Sequence, residues 1–240
     1  MLPQEQVRPS HLAPTKILDH DDPAIQSLVS QLRDSPASRS SGSFIRAAYQ
    51  YVKGAIRPVY SLDELQPAST TLREKRGSCS QRIACLEALS RAESIPTRVR
   101  GLWIEGRFWY PRFRFLRLVI PKRILLTWPQ FYLDGPEASR WVDFDELFAS
   151  TEDLVKRSEK GFTNTGETLF EAVEHTPVDF LGKSKTCGTG CDVTPFDLSK
   201  YVLFDEGFFD TRDELFARFR PLGETFRGKI FGAIWGGRGA

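Results

Sequence analysis

An α+β fold is what this sequence predicts, and three observations carry that reading. Apolar residues recur at helical spacing from Ile25 to Leu89. From Ile95 onward the pattern turns to short strand-like runs, and reversals at Glu105-Gly106 and Asp134-Gly135 join them. Helices first and antiparallel strands second imply helices packed on a sheet. With 240 residues, 40% of them hydrophobic, the chain is long enough to bury a real core in one domain. Lys+Arg 33 against Asp+Glu 31 leaves a net charge of +2, so any argument for nucleic acid has to be local.

Residues 1–20 hold prolines without apolar periodicity and read as a flexible N-terminal arm. No apolar run follows the charges of that arm and no membrane span is visible, so the expected compartment is the cytoplasm, with reduced thiols. The domain is expected over 21–220, with its core at about 22–148, and a glycine-rich tail over 221–240.

The first helix has acid at its cap and proline in its first turn, Asp22-Pro23, and buries Ile25, Leu28, Val29 and Leu32. Asp34-Ser35-Pro36 stops it, and residues 37–42 read as a flexible connection. A second helix places Phe44, Ala47, Ala48, Tyr51, Val52 and Ile56 on one face. A loop through Asp63, Pro67, Ser69 and Thr70 leads to a third helix that starts at Cys79 and turns Ile83, Leu86 and Leu89 inward. Strands follow at Thr97–Ile104, Leu125–Leu133 and Trp141–Phe144. Pro129 assigns the middle one to an edge or a bulge. The tail carries short elements such as Asp213–Phe219.

Gly77-Ser78-Cys79 places a thiol at the head of a helix, where the helix end and Lys75, Arg76 and Arg82 favour the thiolate. Backbone N–H groups there could hold an oxyanion, and Gly77 permits close approach of a carbonyl. The plainer reading is a small buried hydrophobe, which is the reading for Cys85. Cys187 and Cys191, with His175 and Asp192, match no common zinc spacing, so no metal or cofactor is expected. His11, His20 and His175 read as surface residues.

The order of these elements resembles the bacterial transglutaminase-like superfamily. The resemblance runs from Asp22-Pro23-Ala24-Ile25 through Ala48-Tyr49-Gln50-Tyr51-Val52, Gly77-Ser78-Cys79 and Ile95-Pro96-Thr97-Arg98. It continues through Trp128-Pro129-Gln130-Phe131-Tyr132-Leu133-Asp134-Gly135 to Trp141-Val142-Asp143-Phe144-Asp145. It implies a papain-like fold with a Cys-His-Asp triad in which Cys79 is the nucleophile and Asp145 the acid, with Asp143 the second choice. It implies substrate contacts at Gly77, Ser78, Trp128 and Gln130. The position of its histidine is held by Leu126, and that of a neighbouring carboxylate by Gln130.

Leucine can neither draw the thiol proton nor protonate a leaving group. Two readings follow. One is thiol-dependent acyl transfer, or amide or thioester cleavage, on a peptide, protein or thioester. The other is a catalytically silent domain that binds a peptide, a ligand or an acidic partner. Residues 98–123 interleave Arg98, Arg100, Arg107, Arg112, Arg114, Arg117, Lys122 and Arg123 with aromatics. That stretch is either the wet face of a sheet or a surface for an acidic partner, ahead of nucleic acid.

Overall fold

The computed structural model describes residues 6–35, 40–113, 117, 120–135, 139–148, 162, 164–166, 168–174, 178–180, 196–221 and 223. His175, Cys187, Cys191 and Asp192 lie outside the described residues, as does Arg114. Helix α1 (Pro23–Arg33) starts under Asp22, whose carboxylate accepts the Ala24 N–H at 2.8 Å. Helix α2 (Ser41–Ala55) opens on a capping box between Ser40 and Ser43. It buries Phe44, Ile45, Ala48, Tyr49 and Val52, whereas Tyr51 is exposed. The buried stripe is thus rotated from the expected one, because the Tyr49 hydroxyl donates to the Phe170 carbonyl at 2.8 Å and its ring packs on Phe144, Phe148 and Phe170.

Strand β1 (Arg57–Pro58) leads to a segment expected as loop, which instead contains helix α3 (Ala68–Glu74). Its N-cap is Pro67, and Lys75, at φ 51°, ends it. Strand β2 (Arg76–Gly77) pairs in parallel with β1 and delivers the chain to α4 (Cys79–Ala92). A side chain at Gly77 would meet Thr71 Cγ2 at 2.7 Å, so glycine lets α3 and the head of α4 approach.

Helix α4 is the axis of the molecule. Every residue from Gln81 to Arg91 is buried, a pattern of a helix surrounded on all sides. Its front end faces strands β3 (Thr97–Glu105) and β4 (Arg123–Leu133), which pair antiparallel with Leu102 opposite Leu126. Strand β5 (Arg140–Asp143) adds to β4. Helix α5 (Leu169–Ala172) and the two-residue parallel pair β6 (Val178–Asp179) and β7 (Phe196–Asp197) follow. Strand β8 (Val202–Phe209) completes a four-stranded antiparallel sheet in the order β5-β4-β3-β8, and α6 (Arg212–Arg218) comes after it.

Pro129 lies inside β4, between two neighbouring strands, where an edge or a bulge was expected. The tension resolves locally: β5 pairs with β4 only from Gln130 onward. The Pro129 carbonyl accepts the Phe144 N–H at 3.2 Å on that side, so the missing donor falls just past the end of β5.

The arm expected to be flexible is pinned from residue 8 onward. The Arg91 guanidinium donates to the carbonyls of Ser10 (3.1 Å), Ala13 (2.8 Å), Thr97 (2.9 Å) and Asp210 (2.8 Å). His11, expected at the surface, is buried, with Nε2 3.0 Å from Asp210 Oδ1 and its ring edge-on to Trp141. Ile17 and Leu18 enter the core. Among the described residues no helix is long and apolar enough to cross a membrane.

Candidate functional site

The head of α4 is built by its cap. The Ser78 hydroxyl accepts the Gln81 N–H at 3.3 Å, and Gln81 Oε1 accepts the Ser78 N–H at 2.8 Å. This closed box presents Ser78, Cys79, Ser80 and Ile83 to a cavity of about 170 Å³. Its walls are mostly apolar, with Phe108, Trp109, Phe113, Ile120, Leu125 and Leu126 prominent. The 3-10 turn Gly106–Trp109 forms one side. Gly106 is required there, since a Cβ would lie 2.0 Å from the Pro121 carbonyl oxygen.

Cys79 and Leu126 therefore share one cavity, and so do Ser78, Ser80 and Thr127. Asp143, Asp145, Trp128 and Gln130 do not line it. Trp128 Nε1 donates to Asp145 Oδ1 at 3.2 Å, and Gln130 Nε2 donates to Asp143 Oδ1 at 2.8 Å. Gln130 Oε1 accepts from Arg98 Nε at 2.8 Å. These side chains hold β4, β3 and β5 together beside the cavity. No histidine is among the cavity's described lining residues: His11 belongs to the pinned arm, and His20 Nε2 lies 2.9 Å from the Leu12 carbonyl oxygen.

The electrostatics run against an activated thiol. Burial pushes the Cys79 thiol up to about 12, Glu171 adds to the rise, and Arg82 pulls against it. Of the cations expected to help, Lys75 and Arg76 are exposed, and Arg76 pairs with Glu74. Arg82 is fully buried, pairs with Glu171 and lies over the Phe170 ring, 4.3 Å from its centroid. Desolvation outweighs the helix end. A thiol held that high is almost wholly protonated at pH 7. Asp145 is also raised, to about 7, by burial first and by Asp143 second. Asp143 is raised by burial.

One cavity residue was invisible to sequence reasoning. Glu64 lies in the segment between β1 and α3, lines the cavity, and is held above the usual carboxylate range by burial. Ser80 and Arg212 act against that rise. Its neighbourhood, Ser61-Leu62-Asp63-Glu64, carries only turn chemistry, so no local signal marks it. Among the described residues no group of three or more His, Cys, Asp or Glu side chains could hold a metal ion.

Three arginines of the basic stretch are engaged within the structure. Arg98 is buried, with its guanidinium 4.3 Å from the Trp141 centroid and 3.9 Å from that of Phe208. Arg100 pairs with Asp205, and Arg112 Nε donates to Asn164 Oδ1 at 3.3 Å.

No curated protein matches this chain. Among solved structures, a candidate cysteine protease from Cytophaga hutchinsonii is 19% identical, with a TM-score of 0.41, over 56% of this chain. This chain spans only 39% of that one. The family model described as the transglutaminase-like superfamily matches residues 26–146, a span of half the chain that runs from α1 through Cys79 and past Asp145. The head of α4, the β3–β4 pair set against it and the acidic end of β5 all fall within that match, and the chain belongs to the transglutaminase-like superfamily.

Proposed function

We propose that this domain is a catalytically silent member of its superfamily that uses the cavity at Cys79 to bind one apolar group of a peptide or small ligand. The observation that carries the reading is the wall of that cavity: Leu126 and its apolar neighbours stand before the thiol, and the described lining residues include no imidazole. A thiol held near 12 supports it, because the nucleophile needs a base, and the described wall offers no imidazole and one carboxylate, Glu64, held above the usual range by burial. A cavity of about 150 Å³ lined by Leu, Ile and Phe is known to take benzene, so about 170 Å³ fits a phenyl or leucyl side chain. Gln130 and Asp143, bonded to each other, act as a brace for β4 and β5. The reading assumes reduced thiols, and the cytoplasm is the compartment we assign.

Iodoacetamide labelling across pH, read by intact mass, tests it. Cys79 is expected to label negligibly at pH 7 and to accelerate only above about pH 10. Fast labelling near pH 6, or turnover of a phenylacetyl thioester that Cys79→Ala abolishes, would overturn the silent reading.

A further inference from the structure

A second pocket opens on the other side of the turn that walls the cavity. Phe108, Trp109, Arg112 and Phe113 face the cavity at Cys79. Arg107, Tyr110 and Pro111 instead join Arg117, Lys200 and Tyr201 around an open pocket of about 650 Å³, within the size range of small-molecule sites.

Its lining mixes cations with tyrosine rings and contributes no carboxylate among the described residues. The Arg107 guanidinium carbon lies 5.6 Å, and Lys200 Nζ 5.3 Å, from the Tyr201 ring centroid. The Arg117 guanidinium carbon lies 5.5 Å from that of Tyr110. Tyr201 is seated on the core through an edge contact with Phe108 at 5.4 Å. Glu105, outside the lining, pairs with Arg107 Nε at 2.5 Å, and Arg107 Nη2 donates to the Lys200 carbonyl at 3.4 Å. Both contacts orient that guanidinium at the pocket rim.

Each feature narrows the ligand. An apolar guest would strip water from three cations without return. A simple carboxylate would leave both rings unused. Guanidinium groups take phosphate through parallel hydrogen bonds and also stack on planar groups, and tyrosine faces stack on any nucleobase. We propose that this pocket binds a phosphorylated planar molecule of mononucleotide size, with the phosphate on Arg107, Arg117 and Lys200 and the ring against Tyr110 and Tyr201. The site is separate from the cavity at Cys79 and stands whether or not that thiol reacts.

Isothermal titration of the full chain with AMP at low salt tests the assignment, with inorganic phosphate, adenosine, a short single-stranded oligonucleotide and an oligo-aspartate peptide as comparisons. AMP is expected to bind saturably, at least tenfold tighter than phosphate or adenosine, and to weaken as salt rises. Arg107→Ala and Lys200→Ala, both at exposed positions, should each weaken it about fivefold or more without altering the melting temperature. Tyr201→Leu should weaken AMP and leave phosphate unchanged. Oligonucleotide binding at least tenfold tighter than AMP, with the same Arg107 dependence, would place the nucleotide in a strand; AMP binding as tight or tighter would make the free nucleotide the ligand. Absence of saturable AMP binding, equal affinity for adenosine, or saturation by oligo-aspartate alone would overturn the proposal.

Discussion

The head of α4 is half-buried at Cys79 and Ser80 while its middle and rear are fully buried from Gln81 to Arg91, and the two carry opposite chemistry. At its head, Cys79 faces an apolar cavity with a thiol pushed up to about 12. Towards its middle and rear, buried charges are joined: Arg212 Nε donates to Glu87 Oε1 at 2.7 Å, with its Nη1 reaching forward to Ser80 Oγ at the head (3.0 Å), and Arg91 donates to the carbonyls that pin the arm. Both Arg212 and Glu87 are fully buried. The difference teaches that this chain spends its buried charges on architecture, while the cavity at Cys79 is walled mostly by apolar side chains.

The largest expected effect breaks the rear. Arg212→Met leaves the Glu87 carboxylate buried and unpaired, and urea denaturation should show a loss of about 3–5 kcal/mol. Adding Glu87→Leu should recover most of that loss, since a buried ion pair can be exchanged for packed apolar groups. If the single variant is as stable as the parent, the rear network is ornamental and the comparison fails.

A smaller effect is expected at the acid beside the cavity. The folded-state pKa of Asp145, about 7, lies above its ordinary 3.8, so the folded state holds a proton that the unfolded state releases first. Stability therefore falls as pH rises from about 4 to about 7 and levels off above that. Asp145→Asn should remove this slope and raise stability at pH 8 by about 1–2 kcal/mol, below the full value of the shift because the group is half-buried. A variant less stable at pH 8 would mean the ionised carboxylate is needed, for instance as a partner of a reacting group.

The smallest effect is expected at the head itself. Cys79→Ala removes a half-buried sulfur from a cavity rim and should change stability by less than about 1 kcal/mol, measured by thermal melting. A larger loss would make the thiol a packing element and bring the two ends of the helix closer in kind.

Much of this arrangement was legible in the sequence. The capped head of α4, the cores of β3, β4 and β5, and the turns between them all leave local marks in spacing and turn residues. Other parts leave none. The α3 segment is rich in Ser and Thr, which compete with helix formation; it is helical because Ala68, Ser69 and Thr71 are buried in the folded protein. Strand β8 lacks alternation because Leu203 and Phe204 are both exposed and Asp205 is paired across the sheet with Arg100. Glu64 reaches the cavity from a turn, and the Glu87–Arg212 pair joins positions 125 apart in the chain, a link no local pattern can announce. That Cys79 would face inward toward an apolar Leu126 could be read from the sequence; the other walls of its cavity could not, since they come from distant segments.

The Glu87–Arg212 bond also sets an order for synthesis. A growing chain emerging from the ribosome carries Glu87 on a finished α4 long before Arg212 exists, and Arg91 must wait equally long for the Asp210 carbonyl. Until then the middle of the domain contains a carboxylate without its cation, which opposes closure of the core around it. The expected outcome is a domain that docks late and in one step, with stalled chains ending before residue 210 remaining sensitive to protease throughout. A chain extended past α6 should become resistant as a unit, so α6 acts as a latch on the elements made first.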